Sequence, residues 1–121
     1  MTTLEVGKKL VELCKEGKNE VALDTLYASD VVSVEAGAPP GKSPETKGLE
    51  GVLGKAKWWN DNHTVHSAEV DGPYPNGDQF ICKFTYDITH KPDNKRFTMQ
   101  EMALYTVKDD KIVREAFFYS M

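Results

Sequence analysis

The chain is poor in cysteine, in basic charge and in long apolar runs, and each shortage removes a class of function. Two cysteines, Cys14 and Cys82, without CxxC spacing build neither a zinc site nor a dithiol redox motif, and in a reducing compartment they stay free thiols. Lys and Arg number 15 against 19 Asp and Glu, and the formal net charge of -4 leaves no basic patch for a phosphate backbone, so no nucleic-acid partner is expected. No run approaches the ~18 consecutive apolar residues of a membrane span. The opening MTTLEVGKK offers neither a basic leader nor an apolar signal segment. The expectation is one cytoplasmic domain over residues 1–121, with no membrane partner. At that length a chain buries roughly two thirds of its unfolded surface. The sequon Asn62-His63-Thr64 then carries no glycan.

Hydrophobic spacing divides the chain in two. Leu4, Val6, Leu10, Val11, Leu13 and Cys14 recur with helical period before Gly17. A shorter helix is predicted over 19–27, burying Val21, Ala22, Leu23 and Leu26, with Ser29 and Asp30 as its stop. VVSVEA reads as a short strand, and GAPPGKSPETKG as a proline-rich loop at a pocket rim. A third helix is predicted over 48–62, with Leu49, Val52, Leu53, Ala56 and Trp59 as its buried stripe. Beyond Asn62 the period becomes two, through HTVHSAEV, DQFICKFTYDITH, KRFTMQEMALYTV and KIVREAFFY, with breaks at GPYPNGD, KPDN and KDDK. Three helices followed by a meander predict an α+β domain with a mostly antiparallel sheet.

The closing hairpin carries two glutamates. A three-residue turn pairing Val107 with Lys111 puts Met99, Glu101, Ala103, Tyr105, Val113, Glu115, Phe117 and Tyr119 on one face. That register makes Glu101 and Glu115 diagonal neighbours, roughly 5 to 7 Å apart. The preceding strand adds Phe80, Cys82, Phe84, Tyr86 and Ile88 to the same surface. Two carboxyls among apolar groups raise each other's proton affinity, and a proton held near neutral pH serves acid–base chemistry. The competing reading gives both glutamates structural roles, pairing at a sheet edge or reaching solvent. The opposite face, with Met102, Leu104, Ile112 and Phe118, is too apolar for water and predicts a homodimer through the back of the sheet.

LYASDVVSVE, KGLEGVLGKAKWW and LYTVKDDKIVREAFFY, in this order of elements, resemble the SnoaL-like proteins of the nuclear transport factor 2-like superfamily, which includes ketosteroid isomerase. The resemblance covers nearly the whole chain. It implies a cone-shaped α+β barrel, three N-terminal helices packed in the concave face of a strongly curved sheet, a ligand at the mouth and frequent dimers. Counted from LYASD, the general-base aspartate of ketosteroid isomerase falls on Glu35. Its oxyanion tyrosine falls near Leu10 and its protonated aspartate on Ala103. Both oxyanion donors are thus missing, which argues against steroid isomerisation. The acid–base aspartate of SnoaL-type cyclases lies on the strand of Ala103, where Glu101 is the nearest inward carboxylate.

AGAPPGKS fits a loose phosphate-loop pattern, but Pro39 and Pro40 lack the N–H groups that cradle phosphate and no helix opens after Ser43. GLEGVLGK has Ala56 where a magnesium-binding hydroxyl is needed. If His66, Ala68 and Val70 form the inward face of their strand, His66 reaches the pocket; otherwise it is a polar residue at a strand end. Three-residue spacing on a strand puts His63 and His66 on opposite faces, so no metal is expected. Glu101 and Glu115, assisted by Glu35 or His66, are the candidate catalytic groups. Trp59, Phe84, Tyr86, Met99, Tyr105, Phe117 and Tyr119 are the candidate walls for a small apolar or aromatic ligand. No cofactor is expected. Isomerisation, cyclisation, dehydration or hydrolysis would all fit, against a non-catalytic ligand-binding or protein-association module.

Overall fold

A computed structural model describes residues 1–38 and 40–120; Pro39 of the rejected phosphate-loop pattern and the last residue lie outside the described residues. Helix α1 (Thr3–Lys15) starts from a capping box in which Thr2 and Glu5 satisfy each other's backbone N–H. Helix α2 (Asn19–Leu26) leads straight into β1 (Tyr27–Val34), a short β2 (Glu45–Lys47) and α3 (Leu49–Asn62). Four long strands follow: β3 (His63–Asn76), β4 (Gln79–His90), β5 (Lys95–Lys108) and β6 (Lys111–Phe118).

Three element boundaries differ from the sequence expectation, each for a local reason. Ser29 and Asp30 do not stop the second helix from a following turn; α2 already ends at Leu26, and β1 begins at Tyr27 and absorbs both residues in a register shift before Val32. The loop expected over 37–48 contains β2, which pairs its three residues with Val32–Val34. GPYPNGD does not break β3, which continues through an irregularity between Asp71 and Tyr74 containing a cis Gly72–Pro73 bond.

The strand order is β2-β1-β6-β5-β4-β3. Only β1 and β6 run parallel, and the sheet stays open, so the expected barrel does not close. One hydrophobic cluster joins the helices to one sheet face: Val6 and Leu10 of α1, Leu23 of α2 and Val52 of α3 pack with Phe80, Cys82, Phe84, Ala103, Tyr105 and Ile112. We call this the inner face. α1 comes close to the sheet at Gly7, where an added Cβ would lie 2.8 Å from the Pro73 side chain and 3.3 Å from that of Phe80.

The closing hairpin is tighter than predicted. Lys108 pairs with Lys111 across Asp109 and Asp110, whose φ angles of 51° and 66° make a two-residue turn with the twist hairpins favour. A bulge then lets Val107 pair with Ile112 and Thr106 with Arg114. Ile112, expected on the back of the sheet, is therefore buried in the core, and Val113 is the extra residue.

Candidate functional site

Period-two alternation and the register together decide which polar groups enter the inner face. On β1, Ser33 stands beside Glu115 and the same parity carries Glu35 inward, while Val32 pairs with Arg114 on the other face. On β5, Glu101 pairs with the buried Phe84. Glu115 pairs with Tyr105, and Ala103 with Phe117. Glu101 and Glu115 thus share a face as expected but are not diagonal neighbours, because the Ala103–Phe117 pair lies between them. The two-residue turn shifts β6 away from the predicted register.

A hydrogen-bonded chain runs from the core to the surface. Tyr27 donates to Glu115 Oε1 at 2.5 Å and Ser33 donates to Glu115 Oε2 at 2.6 Å. Lys55 Nζ donates to Ser33 Oγ at 2.6 Å and to Glu35 Oε1 at 2.7 Å. The Tyr119 hydroxyl donates to Glu35 Oε2 at 3.0 Å. Among the described residues no buried side-chain polar atom lacks a partner.

The chain sorts the three inward glutamates by accessibility. Glu115 is 4% exposed and both its oxygens accept hydrogen bonds from within the protein. Burial pushes its carboxyl above the usual range; the bonds from Ser33 and Tyr27 and the charge of Lys55 pull it back without cancelling that. Burial likewise pushes the Tyr27 and Tyr105 phenols well up, so both stay neutral donors. Glu101 is half-buried, and among the described residues no side-chain donor bonds to it. Burial first, then the charges of Glu35 and Glu115, push its carboxyl up to about 7, with Lys55 opposing. Glu35 is half-buried, clamped between Lys55 and Tyr119.

The expected wall residues divide. Phe84 is 3% and Tyr105 2% exposed; Tyr105 stacks on Phe80 with centroids 4.8 Å apart, so both belong to the core rather than to an open wall. Tyr86, Met99, Phe117, Tyr119 and Trp59 remain half-buried. Lys55 Nζ sits over the Phe117 ring, 5.6 Å from its centroid. Two open hollows flank the end of β6. One of about 750 Å³ has Met99, Glu101, Phe118 and Tyr119 in its wall; the other, of about 440 Å³, has Glu35, Phe117 and Tyr119.

His66 is not in the site. A register shift between Val65 and Ser67 turns it outward, where it is exposed and its Nε2 lies 2.7 Å from Thr89 Oγ1. Lys55, Ser33 and Tyr27 were not anticipated. Two signals existed: a serine alternating with apolar residues in VVSVE, and a lysine three residues after Val52 and four before Trp59, on the edge of the buried stripe.

Residues 1–119 match the family model of the SnoaL-like domain. The fold is similar to that of a Mesorhizobium loti protein described as a candidate SnoaL-like polyketide cyclase (44% identity, TM-score 0.92, covering 98% of this chain and 100% of that one). It also resembles a candidate isomerase from Bacillus subtilis (17% identity, TM-score 0.80, 99% and 90% covered). A Catenulispora acidiphila protein with a ketosteroid isomerase-like fold, in complex with trimethylamine, is 24% identical (TM-score 0.75, 99% and 88% covered). No curated protein sequence matches the chain.

Proposed function

The chain belongs to the SnoaL-like family, and from that premise we propose that its inner face binds a small apolar or aromatic molecule and moves a proton on it. Glu101 is the acid–base group and Glu35 the charged partner at the opening. In this reading the three helices seat in the concave face of a cone, and Tyr86, Met99, Phe117, Tyr119 and Trp59 hold the ligand. Glu115 positions Ser33 and Tyr27 rather than touching the substrate. The observation that carries the reading is Glu101 itself: an inward carboxyl with no side-chain donor among the described residues, within electrostatic reach of a glutamate held by Lys55 and Tyr119. Isomerisation and cyclisation through an enolised carbonyl use this equipment most directly.

Proton–deuterium exchange at the α-carbon of aromatic and polyketide-like ketones, followed by NMR in D₂O, tests it. Wild-type exchange should exceed that of Glu101→Gln by about 100-fold or more, the usual scale of one acid–base group. Equal exchange in the two proteins refutes it. The second reading, a ligand-binding module without chemistry, is favoured by the buried, apolar Leu10 and Ala103, near and at the positions where the resemblance to ketosteroid isomerase would put its oxyanion donors. Ligand binding with no exchange above buffer would select it.

We also propose a homodimer through the outer face, where Ile81, Leu104 and Ala116 lie in one cross-strand row and Met102 pairs with Phe118 in the next. Met102 is 41% and Phe118 56% exposed, an unusual cost for a monomer. Light scattering should give twice the 13.6 kDa chain mass, and Phe118→Asp should return it to the monomer. A monomeric wild type rejects the interface.

A further inference from the structure

Away from the glutamates, at the start of β3 and the end of β4, two histidines face each other. His63 and His90 are direct register partners, both half-buried, with ring centroids 5.1 Å apart and planes inclined by 49°. Each ring is already fixed through the same nitrogen. His63 Nδ1 lies 2.8 Å from the Trp59 carbonyl, and His90 Nδ1 lies 3.0 Å from Asp93 Oδ1. A carbonyl and a carboxylate only accept hydrogen bonds, so in both contacts Nδ1 carries the hydrogen. In the neutral rings that leaves Nε2 of both His63 and His90 with a free lone pair. Among the described residues no side-chain bond engages either Nε2.

We propose that His63 and His90 bind a divalent transition-metal ion through their two Nε2 atoms, with Zn²⁺, Ni²⁺ and Cu²⁺ as the fitting class. Two imidazoles holding a metal at about 2.0–2.1 Å with near-tetrahedral angles have ring centroids roughly 5 Å apart, the separation seen here. The Nδ1–H contacts to a carbonyl and a carboxylate are the outer-shell arrangement that orients histidine ligands and raises their basicity. Trp59 stacks on His63 with centroids 4.4 Å apart and holds the ring in place. Among the described residues no set of three or more His, Cys, Asp or Glu side chains is arranged around a metal position, so the remaining coordination positions would fall to water or to a small ligand. Imidazole-only coordination selects the Ni²⁺, Cu²⁺ and Zn²⁺ range over Mg²⁺ and Ca²⁺, which prefer oxygen. The site is independent of the proton-transfer reading, since neither histidine belongs to the glutamate network.

The chain has three histidines, which makes the test clean. Tag-free protein is titrated with Zn²⁺ by calorimetry, and the histidine ring nitrogens are followed by ¹⁵N NMR. One ion per chain, with Nε2 of His63 and His90 shifting and the His66 ring unmoved, is the expected result. Affinity should fall at least tenfold in His63→Ala and in His90→Ala, and stay unchanged in His66→Ala. Circular dichroism confirms that each variant is folded, and His90→Gln serves if the alanine variant is not. Absence of saturable binding, or binding retained in folded variants lacking His63 or His90, overturns the proposal.

Discussion

Replacing Glu101 by glutamine should make the protein more stable at alkaline pH and leave it little changed in acid. The Glu101 carboxyl moves from 4.5 to about 7 on folding. At ~1.36 kcal/mol for each tenfold change in proton affinity, that displacement corresponds to about 3 kcal/mol. The folded state holds this proton more tightly than the unfolded one. Its stabilising contribution is therefore fully present below pH ~4.5 and is lost as pH rises through about 7. Since the side chain is partly exposed, solvent screening reduces the effect to about 1.5–3 kcal/mol. Glutamine keeps the shape and carries no charge, so the difference in melting temperature between variant and wild type should grow from near zero at pH 4.5 to roughly 5–12 °C at pH 8. Glu115 is present in both proteins, so only its coupling to Glu101 enters the difference. Thermal unfolding by circular dichroism across pH 4.5–8 measures it, and carboxyl ¹³C titration reads the same proton directly. A difference independent of pH, or a Glu101 midpoint near 4.5, refutes the burial argument and the acid–base role with it.

Three further perturbations probe the surrounding frame. Lys55→Met removes the charge that restrains Glu101 and Glu115, so the Glu101 midpoint should move upward in the ¹³C titration; an unchanged midpoint would separate Lys55 from the site electrostatically. Tyr27→Phe deletes one of the two donors to the buried Glu115 and should cost about 1–3 kcal/mol in urea unfolding, with no comparable loss refuting the network's structural role. Gly7→Ala places a methyl 2.8 Å from the Pro73 side chain, and the repacking of α1 against β3 and β4 should cost about 1–3 kcal/mol; a variant as stable as wild type would mean that this contact yields freely.

Much of the fold was legible because it rests on short-range repetition. The 3.6-residue spacing of Val6, Leu10 and Leu13 and the alternation of Phe80, Cys82 and Phe84 dictate which elements form and which side chains they bury. The inward parity of Glu101 and Glu115 followed from the same alternation. It survived an error in the turn because the register moved by an even number of residues. Ile112 and His66 did not survive, since Ile112 lies beside a single inserted residue and His66 is one itself, and one insertion exchanges the two faces of a strand. Hydrophobic pattern does not announce a bulge.

The sequence by itself determined the three helices and the long strands, the polarity of most strand faces and the placement of two glutamates among apolar groups. Only the tertiary structure decided which glutamate is reachable. The answer depends on Tyr27, Ser33 and Lys55, which lie between 60 and 88 residues away from Glu115 along the chain. It also decided that His63 meets His90, a partner 27 residues away, instead of His66, three residues away. Hydrogen bonds and electrostatic shifts act over a few ångströms of space, and separation along the chain does not set that distance; the register of β3 on β4 and the packing of α3 over β1 do.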